Sequence, residues 1–462
     1  MDSFDLVVIG GGAAGEKGAV QAAYFGKKVA LIEKEPVHGG AMVNTGTLPS
    51  KTLRETALTL SGFRQRGLDG VDFGLSHQAS VKELLTRLGR VVAEERTRLR
   101  ANLNRHGVTC FEGAARFVDA HTIGIDRGGT EYKIEAKHVL IATGSRPVRP
   151  ALFPFDLRSV YDSDEIVNVD EIPKSMLVVG GGVIGCEYAC LFATLGTKVT
   201  IVETRDSILG FLDEEMIEAL TARMTALGID LRTSTAVTKC EATANHVALE
   251  LSPGGRLEAD VVLVCAGRQA STASLNLAAA GITAGKRGQL DVDAQFATTV
   301  KHIAACGDVI GFPSLASTSM EQARVAVVHF FDLGYKKQVA RIFPYGIYTI
   351  PEVSMAGETE AALRERKVDY VKGVANFGDN ARGLIIGEHG KLKLLFERSS
   401  MKLLGVHCIG EGATELIHIG LLAMMREAGA DLFIETCFNY PTLSEAYKYA
   451  TYDALGRRGR AT

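Results

Sequence analysis

The chain contains no tryptophan, only 11 prolines, and no excess of either charge sign. Without indole, its near-ultraviolet emission rests on 12 Tyr and 19 Phe. Lys and Arg number 51 against 54 Asp and Glu, a formal charge of −3. No broad basic field is therefore available for a phosphate backbone, and nucleic acid is not an expected partner. A composition of 46% hydrophobic and 23% charged residues excludes a disordered chain and a disulfide-rich secreted scaffold. The eight cysteines (Cys110, Cys186, Cys190, Cys240, Cys265, Cys306, Cys408 and Cys437) contain no CxxC pair and no zinc-finger spacing, so no metal is expected. Cys186 and Cys190 share one face of an expected helix and read as small buried apolar residues rather than ligands. The N-terminus lacks a basic segment before an apolar one, so no secretion signal is expected and the expected location is cytoplasmic. The most apolar stretch, Met176 to Gly196, is interrupted by Glu187 and by three consecutive glycines, and reads as strand, turn and helix rather than a membrane span. At about 150 residues per domain, 462 residues suggest three domains.

What is present is glycine at fixed offsets. FDLVVIGGGAAGEKGAVQAAYFGKKVALIEKE, starting at Phe4, resembles KSMLVVGGGVIGCEYACLFATLGTKVTIVETRD, starting at Lys174. Gly10, Gly12 and Gly15 correspond to Gly180, Gly182 and Gly185, and Glu33 to Glu203, all 170 residues apart. Each copy reads as an apolar strand, a GxGxxG turn, a helix, and a second strand ending in an acid. The first glycine permits the turn, the second lets a pyrophosphate approach the backbone, and the third lets helix and strand pack closely. The helix N-terminus offers free N–H groups to phosphate, and the terminal acid suits a ribose diol.

Each unit is expected to close with a later strand and glycine turn, HVLIATGSRP (His138 to Pro147) and DVVLVCAGRQ (Asp260 to Gln269). The first unit carries an insert at about 44–105, with helical spacing at Val81, Leu84, Leu85 and Leu88. TTVKHIAACGDVIG ends an expected strand at Gly307-Asp308; the acid suits a ribityl hydroxyl or an ordinary turn. From about Pro344 the pattern changes to short strands around Val353, Leu392 to Leu395 and Leu403 to Val406, with helices near 413–427 and 443–455.

Two dinucleotide units with GGAMVNTGTLPSK (Gly39 to Lys51), ATGSRP, ACGD and NYPTLSEAY resemble the pyridine nucleotide-disulfide oxidoreductases along essentially the whole chain. The resemblance implies an α/β protein with two Rossmann-like units, the first for FAD and the second for NAD(P), and a C-terminal α+β domain that forms a homodimer. The implied division is 1–149 (FAD), 150–272 (NAD(P)), 273–342 (completing the FAD domain) and 343–462 (dimerisation). It implies FAD contacts at Gly10, Gly12, Gly15, Glu33, Lys34, Gly39, Gly40, Ala41, Met42, Lys51, Ala114, Thr143, Gly144, Asp308 and Ala316. For the nicotinamide nucleotide it implies Gly180, Gly182, Gly185, Glu187, Glu203, Arg205 and Gly267. Lys51 matches the lysine near the reactive flavin nitrogen, and Glu187 the glutamate that pairs with it.

The departures narrow the expectation. Disulfide-reducing members carry two cysteines spaced CxxxxC where this chain has Met42 and Thr47, neither of which forms a disulfide or a thiolate. They carry a histidine base before the C-terminal Pro-Thr where this chain has Tyr440, although Glu445, the residue orienting that base, is retained. A phenol, titrating ordinarily near ~10, is a poor base at neutrality. Nucleophile and proton acceptor are lost together. Thr at the second cysteine position and the FNYPT segment (Phe438 to Thr442) resemble the soluble, flavin-dependent pyridine nucleotide transhydrogenases, which implies hydride exchange between NADPH and NAD+. Reduction of a quinone or dye, and a catalytically silent flavoprotein, are the alternatives. Glu203 suits the 2′-hydroxyl of NAD(H), and Arg205 stands where it could approach the 2′-phosphate of NADP(H), or serve as an ordinary ion pair.

Overall fold

The computed structural model describes residues 1–62, 81–155 and 158–460. Part of the insert expected at 44–105, residues 63–80, lies outside the described residues.

The apolar runs after each N-terminal boundary become parallel strands covered on both faces, which is why they read as continuous hydrophobic segments rather than alternations. In the first sheet Asp2–Ile9 is flanked by Val29–Glu33 and Thr130–Ile141, with Thr109–Glu112 beyond Val29–Glu33. Ile303–Ala305 joins beside Thr130–Ile141 in parallel. Thr122–Arg127 and Ala114–Phe117 extend the sheet as antiparallel strands. In the second sheet Ser175–Val179 lies between Lys198–Val202 and Val261–Val264, with Asp230–Arg232 and Val160–Tyr161 outermost, all parallel. The internal repeat persists in the register. Leu6 pairs with Val29 and Met176 with Val199, so the 170-residue offset holds across each strand pair.

Each glycine turn leads into a helix, Ala13–Tyr24 in the first unit and Val183–Thr194 in the second. Cys186 and Cys190 are fully buried on the second helix, as expected for small apolar residues. The insert contributes helices Thr47–Leu60 and Val81–Arg105; the latter buries Leu84 and Leu88. Arg268–Ala270 pairs antiparallel with Ser145–Pro147, a two-stranded link from the second unit back to the first. The C-terminal unit is a five-stranded antiparallel sheet, with Tyr345–Ile347 at one edge and Tyr370–Asn376 at the other. Helices Ala413–Met425 and Ala446–Arg460 belong to the same unit.

The second and C-terminal units are joined by charge. Lys393 alternates with Leu392 and Leu394, a spacing that places it on a wet face, yet its side chain is 1% exposed. Its ammonium lies 2.7 Å from Asp213 Oδ1 and 3.1 Å from Glu215 Oε1, and also meets Glu360. Asp213 caps helix Glu214–Ala226 of the second unit and accepts from the Glu360 N–H. Lys372 bridges Glu215 and Glu360, and Tyr370 donates to Glu360 at 2.5 Å. Burial alone raises the Glu360 carboxyl; bonds from Lys393, Tyr370 and Lys372 more than reverse this and hold it at about 2.

Removing one member of such a cluster strands the opposite charges. Lys393→Met is expected to lower unfolding free energy by about 3–5 kcal/mol, read by urea denaturation at neutral pH. Because Glu360 lies below its ordinary 4.5, its contribution is complete above that value and is lost as pH falls from there toward about 2. The wild-type denaturation midpoint should drop through that window, and less so in Glu360→Gln.

Candidate active site

The two glycine turns show why each glycine is needed. Gly10 has φ +103°, and a Cβ there would stand 2.4 Å from the Ala142 carbonyl oxygen; Gly180 repeats this with φ +112° and 2.5 Å to the Cys265 carbonyl oxygen. At Gly15 and Gly185 the limit is contact: a Cβ would fall 1.8 and 2.0 Å from the carbonyl oxygens of Gly10 and Gly180. The middle glycines differ. A Cβ on Gly12 meets nothing nearer than Gly40 Cα at 3.8 Å, and one on Gly182 meets nothing within 4 Å. Protein packing therefore leaves space over both helix N-termini, where first-turn N–H groups lack intrahelical partners. That space fits a pyrophosphate.

The acids ending each second strand hold the turns. Glu33 Oε2 accepts from Gly11 N–H at 2.7 Å and Oε1 from Glu35 N–H at 3.0 Å. Glu203 Oε2 accepts from Gly181 N–H at 2.6 Å. Arg205 closes on Glu203 with both its guanidinium, at 2.9 and 3.1 Å, and its own N–H, at 2.9 Å. Burial alone raises the Glu203 carboxyl; bonds from Arg205 and Gly181 outweigh it and bring it to about 2. The Arg205 side chain remains 55% exposed. Lys34 is exposed beside Glu35.

Lys51 and Glu187 come together across the two units. Lys51 Nζ lies 2.6 Å from Glu187 Oε2, with side-chain exposures of 25% and 8%. Lys51 sits on helix Thr47–Leu60, one turn after Thr47; Glu187 faces it from helix Val183–Thr194. The C-terminal unit adds Tyr348, whose N–H donates to Glu187 Oε1 at 2.9 Å and whose ring centroid lies 4.8 Å from Lys51 Nζ. Nothing in the sequence near Tyr348 signals this; it arises from the unit's edge reaching the junction of the other two.

Asp308 is anchored by a second group the sequence does not disclose. Ser145 donates to Asp308 Oδ2 at 2.7 Å, and Arg268 donates to Ser145 Oγ at 2.8 Å and to its carbonyl at 2.9 Å. Arg268 follows Gly267 and also pairs with Asp164 at 3.2 Å. Thr143 Oγ1 and His38 Nε2 are buried without a hydrogen-bond partner among the described residues. His38 borders the first turn, 2.9 Å from where a Cβ on Gly11 would stand. Orphaned polar atoms flanking an open phosphate cradle match the demands of a large polar cofactor.

Gly39 is the N-cap of helix Gly40–Asn44, which carries Ala41 and Met42. Gly46 N–H bonds the Ala41 carbonyl at 2.7 Å, reversing the chain between Met42 and Thr47. Gly144 adjoins the Ser145–Pro147 link, Ala114 begins its strand, and Ala316 begins helix Ala316–Phe330. Tyr440 is 74% exposed, and among the described residues no hydrogen bond or ion pair joins it or Glu445 to the Lys51 pair. Every cysteine is a free thiol. Burial pushes those of Cys190 and Cys265 up to about 12.

Residues 4–328 match the pattern of the pyridine nucleotide-disulphide oxidoreductases, and residues 343–451 match that family's dimerisation domain. A Mycobacterium tuberculosis protein named soluble pyridine nucleotide transhydrogenase is 43% identical over 460 residues, 99% of this chain and 98% of the relative. One of the same name from Pseudomonas putida is 40% identical over 461 residues, 98% and 99% of the two chains. Among solved structures, the HOCl-induced flavoprotein disulfide reductase RclA from Escherichia coli superposes with a TM-score of 0.88 at 28% identity, covering 97% and 99% of the chains. LpdA from Mycobacterium tuberculosis gives 0.89 at 26% identity, covering 98% and 99%. The turns, the paired units and these full-length matches make the chain a member of the pyridine nucleotide-disulphide oxidoreductase family.

Proposed function

We propose that this chain is an FAD-dependent transhydrogenase that exchanges hydride between NADPH and NAD+. The observation that carries the reading is the Lys51–Glu187 pair at the junction of the units, with Met42 and Thr47 in place of redox cysteines. The full-length relatives named for that activity support it.

When bound, FAD supplies a ring that takes hydride from one nicotinamide and returns it to the next. The Gly10–Gly15 turn and the N-terminus of Ala13–Tyr24 hold its pyrophosphate, and Gly39 to Met42, Thr143, Gly144, Asp308 and Ala316 line the remainder. Glu33, whose carboxylate keeps acceptor capacity beyond its two backbone bonds, would accept from a ribose hydroxyl. Lys51 presents a fixed positive charge where negative charge develops; one ammonium at about 4 Å contributes roughly 4 kcal/mol at an effective dielectric of about 20. Glu187 keeps that ammonium in place. No proton donor or acceptor is required for hydride itself, so Tyr440 is not called on as a base.

The nicotinamide nucleotide lies on the Gly180–Gly185 turn. Glu203, fixed by Gly181 N–H, accepts from the 2′-hydroxyl of NAD(H). Arg205 is half exposed and leaves Glu203 for the 2′-phosphate of NADP(H), so one site serves both nucleotides. The chain divides at 1–149, 150–272, 273–342 and 343–462, and forms a homodimer through the last part. There Leu384, Ile385, Leu422, Met425, Tyr449 and Tyr452 are exposed large hydrophobics. Among the described residues no helix is long and apolar enough to cross a membrane; the free thiols suit a reducing compartment, and a cytoplasmic location is part of this proposal.

With NADPH and thio-NAD+ as substrates, double-reciprocal plots should be parallel lines. Pre-reduced enzyme should be reoxidised faster by NAD+ than by quinone or oxygen. Intersecting lines, a faster quinone, or no turnover would each overturn the reading. Arg205→Ala should raise the KM for NADPH about tenfold and leave that for NADH within about twofold. Gly12→Ala should keep wild-type stability yet purify without yellow colour, whereas Gly15→Ala should lose about 1–3 kcal/mol of stability as well. A Gly12→Ala protein that retains FAD would refute the phosphate placement.

A further inference from the structure

Tyr348 belongs to the C-terminal unit, yet it holds both members of the Lys51–Glu187 pair. Its N–H takes Glu187 Oε1 at 2.9 Å, leaving Oε2 for the lysine at 2.6 Å. Its ring lies against Lys51 Nζ at 4.8 Å from the centroid. Besides Glu187, Ser50 Oγ accepts from the ammonium at a marginal 3.3 Å. The ring is half-buried, and its chain neighbours Ile347 and Thr349 are buried, which holds its backbone in place. A lysine stem is flexible, and one carboxylate restrains only one direction of its ammonium. An aromatic face with negative quadrupole restrains a second direction and tolerates positive charge without water.

We propose that Tyr348 is a positioning residue for the Lys51 charge: its ring and its backbone N–H together fix where the ammonium stands, and so set how strongly the bound flavin holds electrons. The inference rests on the reading that Lys51 lies beside the flavin. Through Tyr348 the dimerisation unit acts on the redox centre of its own subunit.

The test compares Tyr348→Phe, Tyr348→Leu and Lys51→Met holoenzymes by flavin midpoint potential and by the rate and KM of reduction by NADPH in stopped flow. Leu removes the ring and keeps an apolar side chain; Phe keeps the ring. Tyr348→Leu should shift the potential downward, in the direction of Lys51→Met, and slow reduction about three- to tenfold with KM within about twofold. Tyr348→Phe should match wild type in both. If Tyr348→Leu fails to fold, successively fluorinated phenylalanines at position 348 drain the ring face without changing its shape. Rate and potential should then fall stepwise with fluorination. The inference is overturned if Lys51→Met lowers the potential while Tyr348→Leu or the fluorinated series leaves it unchanged, or if Tyr348→Phe falls as far as Tyr348→Leu. If Lys51→Met itself leaves the potential unchanged, the placement of Lys51 fails, and that failure is distinct from the others.

Discussion

An ammonium and a carboxylate 2.6 Å apart, from residues 136 positions apart in sequence, define where the two nucleotide units meet. Burying such a pair is a weak route to stability, since desolvation offsets most of the attraction. Its position at the junction of the two units is explained, on the proposed function, by what a fixed positive charge does to a redox ring beside it. The remainder of the architecture serves that placement. The insert helix carries Lys51 out of the first unit, the second turn's helix presents Glu187, and the C-terminal edge closes on both through Tyr348.

One folding solution occurs twice in the chain. Register, turn geometry and the acid-to-glycine bond recur at a 170-residue offset, so the physical requirements of a dinucleotide turn are met twice in nearly the same way. The copies diverge where chemistry differs. Arg205 clasps Glu203 in the second, whereas Glu33 in the first is held by backbone N–H groups alone among the described bonds. The buried cluster around Lys393 adds a constraint of another kind, tying the helix cap of the second unit to the C-terminal sheet.

The parts legible in sequence were those with local signatures. Glycine offsets, apolar strands and the terminal acids follow from chain geometry over a few dozen residues, and the absence of cysteine at positions 42 and 47 is plain from the motif that surrounds them. Tyr348, Ser145 and Arg268 escaped because their roles arise only when distant units dock. Lys393 sits where strand alternation alone would put it in water, but the covering second unit makes that face interior. Glu33 and Glu203 were read as ribose acceptors; what the structure shows is that each clamps its own turn.

The central claim is that electrons enter and leave through FAD without a sulfur relay. Anaerobic reductive titration of the purified holoenzyme tests it most directly. The account predicts that a single two-electron equivalent per subunit bleaches the flavin, with no long-wavelength thiolate-to-flavin band at any stage. Uptake of a second two-electron equivalent per subunit, accompanied by such a band, would contradict it.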